Sequence, residues 1–147
     1  MSKLKKGFTL IELLVVISII GVLATIVAAN LNSARARARD LKRKQELREM
    51  QSALQLYYNT YQEFPNDTFG RYLPYCGTGS ENCQQGDAFI VDSITYMKSL
   101  PEYQYNNTDD GGYTLKVILE NPSDPDLATS QTNCSGTYAS TEYVVCP

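Results

Sequence analysis

A 24-residue apolar segment, residues 8–31, most constrains how this chain can fold. It contains no Lys, Arg or His, and its one charged side chain is Glu12. About 20 apolar residues are enough for an α-helix to cross a bilayer. A charge inside such a helix costs roughly 2.5–3.5 kcal/mol on insertion scales. The segment therefore predicts a membrane helix in which Glu12 has a specific role.

The boundary between the basic leader and the apolar segment is the most specific motif. It consists of Lys5, Lys6, Gly7, Phe8, Thr9, Leu10, Ile11 and Glu12, followed by the apolar run. This motif resembles the class III signal of type IV pilins and of the pseudopilins of type II secretion systems. The resemblance implies that a prepilin peptidase cuts between Gly7 and Phe8 and that the new amino group of Phe8 is methylated. It also implies that the helix later packs in the core of a filament.

Cutting before Phe8 would create one cation close to Glu12, because the new α-amine has a reference pKa near ~8. Residues four apart lie on one helix face, so the two groups would be able to pair within a chain. They would equally be able to pair between chains, and the resemblance implies this second arrangement during assembly. The alternative is a protonated Glu12 near the membrane interface with no role.

Two other interpretations of the apolar segment remain. The first is a secretory signal peptide that is cut before Asn30, since Val27-Ala28-Ala29 is an acceptable cleavage site. The second is a plain single-pass anchor. Neither interpretation needs Gly7 and Phe8 at the boundary, so we favour the prepilin interpretation. The mature N-terminus separates all three.

Charge is unevenly distributed along the rest of the chain. Residues 35–49 contain seven basic and three acidic residues, and residues 51–147 contain three basic and twelve acidic ones. Counting basic residues alone would keep the C-terminal part in the cytoplasm. The resemblance places it outside, and the cysteines agree with export.

Four cysteines, Cys76, Cys83, Cys134 and Cys146, lie in the C-terminal part. An even number in an exported domain predicts disulfides, and three connectivities are open. The near-neighbour pairing, Cys76–Cys83 with Cys134–Cys146, closes two short loops, and a C-terminal disulfide loop also resembles the pilin pattern. A zinc site is disfavoured, because there is no Cys-x-x-Cys and no His.

Helical periodicity continues beyond the membrane segment. Apolar residues recur at three- and four-residue steps, first at Leu31, Ala34, Ala38 and Leu41 and then at Leu47, Met50, Leu54, Tyr57 and Tyr61. One helix is predicted from about residue 8 to about residue 62, with its end at Phe64-Pro65-Asn66. We therefore predict a leader (1–7), a transmembrane and filament-core helix (8–31), an amphipathic continuation (32–64) and a disulfide-bearing head (65–147).

The head alternates between turn-rich segments and short strand candidates. Strands are predicted at 88–92, 102–106, 113–120, 137–139 and 142–146, with a hairpin connection at 107–112. Residues 93–100 are predicted as a helical turn, and residues 66–87 and 121–135 as turn-rich. The expected fold class is α+β: a long N-terminal helix with a small antiparallel sheet packed on its second half, the pilin fold.

Two charged groups are weaker candidates for binding. The basic run 35–44 is expected to be a solvated collar at the membrane surface that later faces acidic heads of neighbouring subunits, and we do not expect it to bind nucleic acid. Asp109 and Asp110, and likewise Glu120, Asp124 and Asp126, are expected in solvated turns. Major pseudopilins carry a calcium site in a C-terminal loop, so calcium remains the alternative for these acids.

The chain is expected to be structural. No catalytic set is visible, and no metal or cofactor is predicted. The predicted function is a subunit of a type IV pilus-like filament, and the alternative is a type II secretion pseudopilin. The resemblance implies as partners copies of the chain, related minor pilins, a prepilin peptidase, an assembly platform and an ATPase. It implies a single-pass inner-membrane protein that later enters a periplasmic or cell-surface filament.

Overall fold

The computed structural model describes residues 8–67, 72–76, 82–108 and 111–147. The predicted leader with Gly7, and the pair Asp109 and Asp110, lie outside the described residues. The chain divides into two compact units, which we call the N-terminal unit, ending at Ala36, and the head unit, Arg37–Pro147. The elements are α1 (Leu10–Tyr61), β1 (Phe89–Val91), β2 (Ile94–Met97), β3 (Gln104–Asn107), β4 (Tyr113–Ile118), α2 (Asp126–Asn133) and β5 (Glu142–Val145).

The predicted long helix is confirmed as α1, which has 52 residues. It ends where Gln62 adopts a left-handed backbone with φ 60° and donates its N–H to the Tyr58 carbonyl at 2.8 Å. A left-handed residue just after the last turn is a common helix stop. Pro65 follows three residues later and prevents the helix from resuming.

The three-stranded antiparallel sheet has the order β3–β4–β5. The predicted hairpin is confirmed, with Tyr105 opposite Leu115 across β3 and β4. Alternate residues of the central strand, Tyr113, Leu115 and Val117, are buried. Because successive side chains of a strand point to opposite faces, this alternation gives the sheet one core face.

The helical turn predicted at 93–100 is wrong, because β2 occupies Ile94–Met97 and pairs with β1. Asp92 and Ser93 both have positive φ, 48° and 67°, and they close a two-residue hairpin turn without a glycine. Residues 121–135 contain the helix α2, whose Leu127 and Ser130 are buried at helical spacing. The strand predicted at 137–139 is also wrong, since α2 is followed directly by β5 and residues 137–139 form no strand.

The core of the head unit lies between α1 and the sheets. Leu47, Met50, Leu54 and Tyr57 are 0–3% exposed, so the second predicted stripe is confirmed. The first stripe is not buried: Leu31 and Leu41 are 44% and 63% exposed. The predicted α+β fold with a small antiparallel sheet is therefore confirmed. The buried side of α1, however, begins at the charged residues Asp40 and Lys44 rather than at the apolar residues of the first stripe.

Candidate functional site

The first turn of α1 is closed by Thr9 and Glu12. The Thr9 N–H donates to Glu12 Oε2 at 2.9 Å, and the Thr9 hydroxyl donates to the same oxygen at 2.6 Å. The Glu12 N–H returns a bond to Thr9 Oγ1 at 3.3 Å. This is a capping box, whose Thr-x-x-Glu spacing was present in the sequence but was not used as a signal. Phe8 precedes the helix and is 83% exposed.

The N-terminal unit exposes an apolar surface around a single charge. Its large apolar side chains from Phe8 to Leu31 are all at least 44% exposed, and Glu12 is exposed among them. The polar side chains of Ser18, Thr25 and Asn30 donate to carbonyls of their own helix three or four residues earlier. An 18-residue window of α1 with mean hydropathy 2.8 is long and apolar enough to cross a membrane. This fits a membrane-anchored subunit.

The head unit contains a buried carboxylate that the sequence analysis missed. Asp40 is fully buried and accepts the backbone N–H groups of Glu120 and Asn121 at 2.8 and 2.9 Å. Arg43 also donates to it at 3.2 Å. Asp40 thereby attaches the chain after β4 to the helix. Its position at a helical step before Lys44 and Leu47 was the available signal, because charged residues can continue a buried stripe when they are paired.

Lys44 is the second buried charge. Its ammonium donates to Asp124 at 2.9 Å and to Asp126 at 2.8 Å, and it lies 5.8 Å from the centroid of the Tyr143 ring. Burial alone would lower the pKa of Lys44, but the bonds to the two carboxylates outweigh it and raise that pKa. Burial alone would raise the pKa of Asp124, but the bond from the Lys44 ammonium outweighs burial and lowers that pKa.

Asp124 and Asp126, for which calcium was the alternative, have a cationic partner within the chain. The two carboxylates that would bind a cation already hold the ammonium of Lys44. Across the described ranges, no group of three His, Cys, Asp or Glu side chains converges as a metal site would require. The expectation of a solvated turn is wrong for Asp124, whose side chain is 11% exposed beside Lys44, whereas Asp126 begins α2 with its side chain 54% exposed.

Arg39 and Arg43 both reach Glu120. Arg39 forms two bonds to the Glu120 carboxylate, at 2.8 and 2.6 Å, and Arg43 lies 3.1 Å from it. The bond from Arg39 and its charge lower the pKa of Glu120 to about 2. The predicted solvated collar is therefore wrong for Lys44, which is buried. Arg39 and Arg43 also pair within their own chain, but Arg39 remains 53% exposed. We call this network the charged joint; it comprises Arg39, Asp40, Arg43, Lys44, Glu120, Asp124 and Asp126.

All four cysteines are joined in the near-neighbour pattern. Cys76 bonds Cys83 and Cys134 bonds Cys146, with Cα separations of 5.3 and 5.8 Å. The Tyr103 hydroxyl donates to the Cys83 carbonyl at 2.7 Å and fixes the first loop against β3. Burial raises the pKa of this tyrosine to about 12, so its hydroxyl stays a donor.

Taken together, these features define a subunit with an exposed apolar helix, a capped acidic N-terminus and a disulfide-bonded head. A family model described as "Prokaryotic N-terminal methylation motif" matches residues 2–28. The "Type IV wide pilus major component PilA4" of Thermus thermophilus is 63% identical over 35 residues, which cover 24% of this chain and 27% of that relative. No solved structure gives a match.

In the methylation motif, in this relative and in the α+β layout, the chain is similar to type IV pilins. The matched relative is named a major pilus component, which agrees with the expectation that this chain is structural. The chain spans only about a quarter of the length of the relative it matches, so processing, assembly and partners are treated as proposals below.

Proposed function

We propose that this chain is the structural subunit of a type IV pilus-like filament and that it polymerises through residues 8–31. The observation that carries the proposal is the N-terminal unit, whose large apolar side chains are all exposed around one carboxylate. Exposed apolar surface of this extent is covered by lipid or by another protein. The methylation motif and the pilus component it resembles support a filament as the covering.

Processing between Gly7 and Phe8 supplies the chemistry of assembly in this proposal. Hydrolysis of that peptide bond releases a carboxylate on the leader and an ammonium on Phe8. Within the described residues, Glu12 uses only Oε2 in the capping box, so Oε1 is available to accept a bond from the Phe8 ammonium of a neighbouring copy. In an apolar environment an unpaired charge is costly, so this pair favours one stagger between copies.

The assembly partners follow from the same proposal. A membrane-anchored subunit needs a prepilin peptidase, an inner-membrane platform and an ATPase to move it from the bilayer into the filament, together with copies of itself and related minor pilins. The nonpolar helix fits the inner membrane before assembly. After assembly the head units, held by their disulfides, would lie on a periplasmic or cell-surface filament.

The N-terminus of mature protein tests the proposal. Material sheared from the cell surface is expected to begin at methylated Phe8 by mass spectrometry. Gly7→Trp should block cutting, whereas the control Gly21→Ala should be processed normally, because nothing lies within 4 Å of the added Cβ. A mature start at Asn30, or a retained leader, would contradict the proposal. Recovery of processed chain only from the periplasm would support a secretion pseudopilus instead.

A further inference from the structure

The outer edge of β2 carries backbone groups that the rest of the described chain does not use. β1 lies between β2 and the segment Tyr75–Cys76, because Cys76 pairs with Phe89 and the Ile90 N–H donates to the Tyr75 carbonyl at 3.2 Å. Among the described residues, β1 is the only strand that pairs with β2, and α1 contacts one face of β2 through Tyr57 and Tyr96, whose ring centroids lie 5.6 Å apart. The far side of β2 is therefore a strand edge.

The direction of the Ile90 N–H identifies which residue presents its backbone to that edge. Ile90 lies opposite Thr95, and its N–H points toward Tyr75, away from β2. In an antiparallel ladder such a pair exchanges no hydrogen bonds, and each member turns its N–H and C=O outward. Thr95, which is exposed, therefore points both backbone groups at the open edge.

The side chains of β2 do not protect this edge. The strand reads Ile-Thr-Tyr-Met, with no charge and no proline, and Ile94 is 48% exposed. Edge strands are usually protected by an inward charge, a proline or a covering element. An unprotected edge of this kind is suited to the addition of another strand.

We propose that β2 pairs antiparallel with β2 of a second copy of this chain, with Thr95 opposite Thr95. This two-fold register places Ile94 opposite Tyr96 of the second copy, an aromatic and β-branched combination that stabilises sheets. It also brings Lys98 of each copy beside the Asp92 turn of the other, so opposite charges meet twice. A surface complementary to itself in this way is what a two-fold contact requires.

The consequence for filaments rests on the proposed function. Successive subunits of a helical filament meet through two different surfaces, whereas a two-fold contact uses the same surface on both copies. The contact therefore joins subunits of different filaments and holds the filaments side by side. The pairing itself does not depend on polymerisation and is accessible in detergent-solubilised full-length chain.

Disulfide trapping tests the pairing directly. A hydrogen-bonded antiparallel pair has a Cα separation of about 5.5 Å, which suits a disulfide. The full-length Thr95→Cys variant in detergent is expected to form a reducible dimer as its main oxidised product. Ser123→Cys, at an exposed position away from the edge, should give at least tenfold less. Equal dimer from both variants, or trapping of Thr95→Cys in cells to a different protein, would overturn the proposal.

Imaging of filaments tests the consequence. Thr95→Pro removes the outward N–H without removing a bond of the β1–β2 ladder, and Thr95→Lys sets two ammonium groups opposite each other. Both variants should form filaments that begin at Phe8 but show at least tenfold fewer bundles, while Thr95→Val bundles normally. Unchanged bundling in both would overturn the proposal. If no filaments form even without a substitution, the proposed function fails, and the trapping experiment still decides the pairing.

Discussion

The polar side chains of the N-terminal unit and those of the head unit bond to different kinds of partner. In the N-terminal unit, Ser18 and Thr25 donate to carbonyls of the same helix at 2.7 Å, three residues earlier. In the head unit, Arg39 and Lys44 bond carboxylates about 80 residues further along the chain, with sequence separations of 81 and 80. Both groups of contacts lie on residues of the single helix α1. The first kind shields the backbone locally, and the second connects distant parts of the chain.

This difference shows that the head unit buries and pairs its own groups, whereas the N-terminal unit does not. The head unit buries Leu47 and Leu54 fully and supplies partners for its buried charges. The N-terminal unit leaves its apolar surface open and has no cation near Glu12 within the segment 8–31. A helix that is apolar all round is stable only when lipid or protein surrounds it. The N-terminal unit therefore needs an environment that the head unit does not.

The largest expected effect comes from removing the charge of Glu12. Glu12→Gln keeps a side chain that can complete the capping box but removes the carboxylate. If a Phe8 ammonium pairs with Glu12 in the filament core, the variant loses a buried pair worth roughly 3–5 kcal/mol. We expect its incorporation beside normal subunits to fall by roughly 10²–10⁴-fold, measured by mass spectrometry of sheared filaments.

Thr9→Ala provides the matched control, because it removes the cap and keeps the charge. It should cost about 1 kcal/mol of helix stability and should be incorporated far better than the Glu12 variant. Membrane insertion should be intact for both. Normal incorporation of Glu12→Gln, with poor incorporation of Thr9→Ala, would mean that Glu12 acts as a cap and not as a charge.

A pair of leucine truncations sharpens the contrast between the two units. Leu54 is fully buried in the head unit, so Leu54→Ala should lower the free energy of unfolding by about 2–5 kcal/mol. Leu23 is 57% exposed in the N-terminal unit, so Leu23→Ala should change head stability by less than about 0.5 kcal/mol. Denaturant unfolding of the full chain in detergent, followed by near-ultraviolet circular dichroism of the tyrosines, measures both. Equal losses would contradict the division.

The sequence predicted the parts of the fold that depend on periodicity. The apolar steps from Leu47 to Tyr57 and the alternation of Tyr113, Leu115 and Val117 both identify buried faces, because burial of apolar groups drives folding. Local turn chemistry was less informative. Asp92 and Ser93 adopt positive φ without glycine, so the β1–β2 hairpin carried no clear signal and was mistaken for a helical turn.

The charged joint was not predicted, because its residues look like surface residues. Asp40 and Lys44 can be buried only because distant residues bond to their charges. These partners lie 80 or more residues further along the chain and are Glu120, Asn121, Asp124 and Asp126. The helical step from Asp40 to Lys44 and Leu47 indicates the buried side of α1, but no local pattern identifies these distant partners. The motif at Gly7, Phe8 and Glu12 indicated a processing site by resemblance. The capping bonds between Thr9 and Glu12 also had a local signal, the Thr-x-x-Glu spacing, which the sequence analysis missed.

Asp40→Asn tests whether the charged joint stabilises the head unit. The amide oxygen can accept only some of the bonds that Asp40 now takes from the Glu120 and Asn121 N–H groups and from Arg43. Loss of bonds to a charged group at a buried site should cost about 1.5–3 kcal/mol of unfolding free energy. Glu46→Gln, which disturbs an exposed pair with Lys42 at 3.4 Å, should cost about 0.3–0.5 kcal/mol. Equal effects of the two variants would place the joint among ordinary surface pairs.

The smallest effect concerns the acid dependence of the joint at Glu120. Arg39 holds the pKa of Glu120 at about 2 in the folded chain, below its ordinary value of 4.5. A carboxyl group whose pKa is lowered by folding contributes its full stabilisation at pH values above its ordinary pKa. This contribution is lost as the pH falls from about 4.5 to about 2.

Glu120→Gln should therefore lower the unfolding midpoint slightly at pH 7, and it should reduce the fall of that midpoint between pH 4.5 and pH 2. Some acid dependence should remain, because the pKa of Asp124 is also lowered. A difference between Glu120→Gln and the unsubstituted chain that stays constant from pH 7 to pH 2 would show that Glu120 contributes packing rather than charge.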